Sequence, residues 1–244
     1  RAFEFLMVGG GTLLLLPLCI AYREVFGLDE GELLMGMLAF HAASLVNDPH
    51  FAVTYLLFYR DVRARGLGGV WPLAQRVRYW VAGVLVPLAL VLWGVGAIRA
   101  HSAPALGAMI QLGFLLVGWH YVKQGFGAFS VLSARRGFGW SRGERRVIRA
   151  HCFVGWVYAW VSPFDPGTKS VVNGVFYTTL PHPPGLELAT FVAFGASALG
   201  VLAVVVRKWK SERRRPPLTP LAGLVITVWL WTVYTQLDPL LMYW

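Results

Sequence analysis

The chain has 244 residues, of which 57% are hydrophobic and only 14% are charged, and its mean hydropathy is +0.57. Because soluble domains usually carry about 25% charged residues, this composition excludes an ordinary soluble domain. The net charge of +10 does not require a nucleic-acid partner, since 18 of the 22 basic residues fall on Arg1 and on three short segments, 60–78, 135–149 and 207–215.

Apolar runs near twenty residues long recur along the chain, which is the length that a helix needs to cross a hydrocarbon core about 30 Å thick. We predict an all-α polytopic membrane bundle of about seven transmembrane helices, with residues 1–244 forming a single integral membrane domain. The predicted helices cover, in chain order, 5–22, 33–59, 79–98, 105–132, 147–162, 186–206 and 218–243.

The basic segments alternate with neutral or acidic connections such as 23–32. This alternation is the positive-inside pattern, so we predict a bacterial cytoplasmic (inner) membrane protein with its N-terminus in the cytoplasm and its C-terminus outside. We expect anionic lipids to bind the basic loops and expect no nucleic acid. Cys19 and Cys152 both fall within predicted helices, so we expect no disulfide framework.

Two segments depart from plain hydrophobic spans. The second predicted helix is about 40 Å long at 1.5 Å per residue, and residues 47–50 in its middle are Asn-Asp-Pro-His. Proline removes a backbone donor and disfavours helix at the preceding residue, so we expect a kink or local unwinding there. The connection 163–185 has apolar residues around an Asn-Gly pair, which predicts a hairpin, or a re-entrant or interfacial cap over the bundle.

Several polar side chains fall inside the predicted helices, where ionisable groups are costly and therefore indicate a functional site. Counting from each helix centre at 1.5 Å per residue places histidines from three helices at nearly one depth, on the cytoplasmic side of the midplane. The polar residues at or near this depth are Asp48, His50, His120, Lys123, Gln124 and, slightly lower, His151. His120, Lys123 and Gln124 are spaced i, i+3 and i+4, so they form one stripe along a helix.

Neutral imidazoles together with a carboxylate are suitable ligands for iron, zinc or copper. The predicted metal ligands are His50, His120, His41 and His151. The predicted catalytic residues are Asp48, Lys123 and Gln124. We predict iron as the cofactor, with zinc, copper or haem b as alternatives. A metal inside the bilayer would meet a hydrophobic small-molecule substrate such as an isoprenoid or acyl chain, which indicates a metal-dependent oxidoreductase or oxygenase.

The histidine-containing stretches 48–51 (Asp-Pro-His-Phe), 118–121 (Gly-Trp-His-Tyr) and 180–182 (Leu-Pro-His) resemble those of the Brp/Blh-type membrane β-carotene dioxygenases. That family consists of polytopic proteins that hold iron through histidines on several helices, so the resemblance implies a membrane-embedded iron site. The family's Pro-His-Gly signature is absent from this chain and the histidine spacings differ, so no activity is transferred from it.

Three other functions fit the same residues. A proton- or ion-coupled transporter would use a broken second helix that faces the stripe of His120 and Lys123 near the membrane centre. A haem protein would use His50 and His120 as axial ligands. A subunit of a larger membrane complex, or an oligomer, would use the polar groups as contacts between helices.

Overall fold

The computed structural model describes residues 2–162, 171–172, 175–229 and 232. In chain order the α-helices are α1 (Ala2–Phe5), α2 (Thr12–Phe26), α3 (Leu28–Tyr59), α4 (Leu73–Trp80), α5 (Val86–Arg99), α6 (Ala103–Arg135), α7 (Arg142–Val161), α8 (Leu186–Glu212) and α9 (Leu218–Trp229). The described residues also include π-helical segments at Leu6–Gly10, Arg63–Leu67 and Val81–Leu85. The described chain is therefore helical apart from its connections and one short strand pair.

Helical backbone is present at all seven predicted positions, although the bounds differ. The fifth predicted helix begins earlier than expected because Ser141 and Glu144 form a capping box. The Glu144 N–H donates to Ser141 Oγ at 3.2 Å, and the Ser141 N–H donates to Glu144 Oε2 at 2.7 Å. The seventh predicted helix is described as α9 up to Trp229, and most of its remainder lies outside the described residues.

Among the residues that the structure describes, three helical stretches are long and apolar enough to cross a membrane, namely Leu73–Arg99, Ala103–Arg135 and Leu186–Glu212. The first of these joins α4, a π-helical segment and α5, and α9 is a shorter apolar helix. Large apolar side chains point outward from these stretches, and Leu92 (62% exposed) and Leu199 (68%) are examples. Apolar surface on this scale is typical of proteins that contact lipid or other proteins.

Of the two outcomes expected at Pro49, a kink or local unwinding, the unwinding is wrong, because helix α3 is continuous from Leu28 to Tyr59. Proline removes one backbone hydrogen bond from a helix, at a cost of about 3 kcal/mol. Unwinding would instead leave several backbone groups without partners, and in an apolar environment each of them costs several kcal/mol. Keeping the helix intact is therefore the less costly arrangement.

The packed core lies among α6, α7, α8 and α9. Its buried side chains come from all four helices and include Val122, Phe129, Ile148, Cys152, Tyr158, Phe194, Val204, Leu224 and Val228. Glycines allow close approach of the helices, because a Cβ at Gly125 would lie 2.5 Å from Thr227 Cγ2 and one at Gly155 would lie 2.6 Å from Val228 Cγ1. The N-terminal π-helical segment packs against α9.

The connection after α7 contains the antiparallel strands β1 (Val171–Val172) and β2 (Val175–Phe176), in agreement with the hairpin interpretation. The segment that follows is bound to α6 by the amide of Gln111. Gln111 Nε2 donates to the Leu180 carbonyl at 2.8 Å, and the Leu180 N–H donates to Gln111 Oε1 at 3.0 Å. The Thr178 N–H also donates to the Ala103 carbonyl at 3.1 Å. We call residues 177–182 the strap.

Candidate functional site

The predicted polar stripe on α6, consisting of His120, Lys123 and Gln124, is exposed along its whole length. The buried positions of the same helix, such as Val122 and Gly125, face α7 and α9. Because successive residues of an α-helix are 100° apart, the stripe lies away from that interface. Lys123 Nζ lies 4.6 Å from the centre of the Trp119 ring, which is within the range of a cation–π contact. The stripe is thus an open polar surface on an otherwise apolar helix.

The predicted ligands on α3 are also exposed. His50 is exposed, with its ring centre 5.9 Å from that of Phe51, and His41 is exposed nine residues earlier. The side chain of Asp48 lies outside the described residues. Within the described part of the chain, no three His, Cys, Asp or Glu side chains lie close enough together to hold a metal. The predicted ligands therefore do not converge in the described structure.

His151 occupies a different environment, since it is 3% exposed and sits between α7, α8 and α9. Its ring stacks on Phe194, with centroids 5.0 Å apart and planes at 16°, and its centre lies 6.2 Å from that of Trp229. Ser197 Oγ donates to the Phe194 carbonyl at 2.9 Å, so it accepts from His151 Nδ1, also at 2.9 Å. This arrangement assigns the imidazole to packing between helices, so His151 is turned away from the stripe.

The contacts between α6 and α7 show how His120 and His151 lie relative to each other along the two helices. Trp156 Nε1 on α7 donates to the Leu115 carbonyl on α6 at 2.7 Å, so these two residues are level. The two helices run in opposite directions with the same rise per residue, which places His151 level with His120. The two residues are thus level along the helix pair, but their side chains point in different directions.

The sequence did not single out Gln111 as a functional residue, although it is only 6% exposed and binds the strap. Trp160 Nε1 donates to the Gln111 carbonyl at 2.9 Å, and the His182 ring lies edge-on to Trp160 with centroids 4.7 Å apart. The available signal was a lone amide within the apolar first half of the fourth predicted helix. A polar side chain at such a position needs a hydrogen-bonding partner.

A second polar cluster lies at the other end of α7 and α8, around Lys208. Lys208 Nζ is 2.6 Å from Glu212 Oε1 and 3.4 Å from Glu144 Oε2. It also lies 5.2 Å from the centre of the Phe138 ring. Arg214 donates to the carbonyls of residues 136 and 137, at 2.8 and 3.0 Å. These contacts bring two basic segments, 135–149 and 207–215, to the same end of the bundle, as the alternation of loop charges predicted.

The carboxyl group of Glu144 is the titratable centre of this cluster. Burial by itself would raise its pKa, but hydrogen bonds from Ser141 and the charge and hydrogen bond of Lys208 outweigh that effect. The pKa of Glu144 is therefore lowered from its usual value of 4.5. A carboxyl whose pKa falls on folding stabilises the folded protein when it is ionised.

We expect this stabilisation to be complete above the unfolded pKa of Glu144 and to be lost as the pH falls through the lower, folded pKa. Thermal unfolding measured from about pH 7 down to about pH 3 should therefore show a decrease in Tm at the acidic end. A Glu144→Gln variant should show a smaller decrease over the same range. Equal pH profiles in the two proteins would contradict this role of Glu144.

Comparison with protein-family models, with curated proteins and with solved structures finds no match to this chain. The resemblance to the Brp/Blh-type dioxygenases therefore stays an expectation from sequence. Two properties of the side chains bear on the function, namely the exposure of the stripe and the packing of His151. The exposed stripe on α6 is available to a ligand, whereas His151 is already engaged in packing.

Proposed function

We propose that the protein is a membrane-embedded, metal-dependent enzyme, an oxidoreductase of the oxygenase type, that acts on a lipid-soluble substrate such as an isoprenoid or acyl chain. In this proposal the chain lies in a bacterial cytoplasmic membrane, with its basic end on the cytoplasmic side. In the same proposal, all seven helices predicted from the sequence contribute to the membrane domain.

The observation that supports the proposal most strongly is the exposed stripe of His120, Lys123 and Gln124 on α6. Helix α6 is long and apolar enough to cross a membrane, so the open face of the stripe would meet lipid. A cationic side chain near the bilayer centre costs about 3 kcal/mol on insertion scales, and a histidine and an amide beside it add to that cost. A polar ligand against the stripe would offset this cost.

The donor set has suitable chemistry for a metal but needs a second contributing helix. His120 has an exposed imidazole on α6, and His50 has one on α3. We assign these two histidines as ligands, with a third ligand from another helix, because positions 48 and 41 lie about 160° and about 180° around the continuous helix α3 from His50. Because the described residues do not form a three-ligand cluster, the assignment requires α3 to approach the open face of α6. Two imidazoles and a carboxylate are the ligands that non-haem iron oxygenases use.

When bound, such a metal supplies activation of oxygen or polarisation of the substrate. The side chains of this chain would hold and orient the substrate beside it. Lys123 and Gln124 lie one turn from His120, so they are placed to donate hydrogen bonds to a polar group of the substrate. The apolar outer surface of α6, which includes Leu116 (50% exposed), would let a hydrophobic chain enter from the lipid.

The transporter alternative is weakened, because its main argument was a broken helix near the membrane centre and α3 is continuous through Pro49. The haem alternative uses the same two histidines and differs in its spectrum.

The experiment that tests the proposal is elemental analysis of the purified full chain together with a visible spectrum. We expect stoichiometric iron, zinc or copper without a strong Soret band. A metal-free protein from metal-supplemented cells would contradict the proposal, and a Soret band would favour haem.

A further inference from the structure

An open cavity of about 400 Å³ lies where the connection between α3 and α4 folds back on the end of α3. Its lining is mostly apolar and comes from three aromatic residues, two arginines, a glutamine and an alanine, namely Phe58, Arg65, Trp71, Gln75, Arg78, Tyr79 and Ala82. Concave apolar pockets of this size with a few convergent polar groups are typical ligand sites.

Hydrogen bonds and ring packing hold the aromatic walls of the cavity in place. Tyr79 Oη donates to the Phe58 carbonyl at 2.8 Å, and the two rings stack with centroids 4.6 Å apart. Trp71 meets Tyr79 edge-on, with centroids 6.3 Å apart. On the other side of the connection, Trp80 Nε1 donates to the Gly66 carbonyl at 3.1 Å. The cavity is therefore formed before any ligand arrives, which lowers the cost of binding.

The two arginines differ in their contacts with other residues of the chain. Arg65 donates to the Leu57 carbonyl at 3.2 Å and lies 3.7 Å from Asp61, with its guanidinium 5.7 Å from the centre of the Trp71 ring. Arg78 is exposed at the rim, and none of the ion pairs among the described residues involves it. With respect to the described residues, its guanidinium can therefore donate to an anion from outside the chain.

The location of the cavity indicates that an anionic ligand bound there would also have an apolar part. It lies at the beginning of the apolar stretch Leu73–Arg99, whose outward side chains Val77, Val81 and Leu85 are 51%, 39% and 56% exposed. An anionic group held by Arg65 and Arg78 would therefore have an apolar surface running away from it along one helix. We propose that this cavity binds the phosphate-bearing head group of an anionic lipid, with the lipid chain lying along α4 and α5.

The test is thermal unfolding of the purified, delipidated full chain in detergent, with a short-chain phosphatidylglycerol added. At about 100 times its Kd the lipid should raise Tm by roughly 7 °C, because it binds only the folded protein. Phosphatidylcholine with the same chains should give a much smaller rise, and inorganic phosphate should give none. Arg78→Gln should weaken the phosphatidylglycerol effect by about tenfold in lipid concentration while leaving Tm without lipid unchanged.

Arg145→Gln is the matched control, because Arg145 is also exposed but belongs to the basic segment at the start of α7. This variant should keep the full response to phosphatidylglycerol. An equal loss in the Arg78 and Arg145 variants would overturn the proposal in favour of diffuse attraction between charges. An equal rise with phosphatidylcholine, or with inorganic phosphate alone, would also overturn it. None of these outcomes depends on metal content, so the lipid site and the metal site are tested separately.

Discussion

Replacing His120 with asparagine is expected to lower the metal content of the purified protein by about tenfold or more, and His50→Asn should have the same effect. Asparagine keeps a polar side chain at each position but removes the imidazole that we assign as a ligand. Both histidines are exposed on their helices, so the fold should survive the change. The measurement is metal per chain by elemental analysis, with Tm recorded alongside.

The matched control for these two variants is His101→Asn. His101 is exposed in the connection between α5 and α6 and has a positive φ of 51°, a conformation that asparagine tolerates well. This variant should keep the metal content of the unmodified protein. If all three substitutions lowered the metal content equally, or if His120→Asn left it unchanged, the assignment of ligands would be wrong.

The second large effect is expected at Gly107 on α6, where the strap crosses the helix. A Cβ at this position would lie 2.0 Å from the Thr178 carbonyl oxygen, which belongs to the backbone and cannot rotate away. Gly107→Ala should therefore push the strap off α6 and weaken the paired hydrogen bonds between Gln111 and Leu180. We expect a loss of about 3 kcal/mol in the free energy of unfolding, which corresponds to roughly 8 °C in Tm.

Gly113→Ala on the same helix provides the control, because a Cβ there meets nothing within 4 Å. Alanine is favoured over glycine in helices by about 1 kcal/mol, so this variant should be as stable as the original protein or slightly more stable. If both alanine variants had the same Tm, the close contact between Gly107 and the strap would not be a determinant of stability.

The positions of the helices could be predicted from the sequence because the hydrophobic period and the caps are local properties. The apolar runs located α5, α6 and α8, and the Ser141–Glu144 capping box explains why α7 begins before its apolar part. The unwinding expected at Pro49 was wrong because it was inferred only from the local effects of proline, its missing donor and its restriction on the preceding residue. The larger cost of opening further backbone groups in an apolar environment was left out.

The spacing of the site residues along their helices could be read from the sequence, but the direction of each side chain could not. Counting at 1.5 Å per residue put His151 slightly below His120, whereas the hydrogen bond between Trp156 and Leu115 puts the two residues level along α6 and α7. The direction of each side chain depends on which face its helix packs, and that is set by partners distant in sequence. Ser197 and Phe194 contact His151, and they belong to α8. The position of the strap likewise depends on a partner distant in sequence, since Gln111 and Leu180 are 69 residues apart.

The most direct test of the account is X-ray absorption spectroscopy at the edge of whichever metal the purified chain contains. The account predicts a first shell of nitrogen and oxygen ligands at about 2.0–2.2 Å, with the outer-shell scattering of two imidazoles. The double variant His50→Asn, His120→Asn should lose that imidazole signal. Imidazole scattering that persisted in the double variant, a sulfur shell at about 2.3 Å, or no metal edge above background would contradict the account.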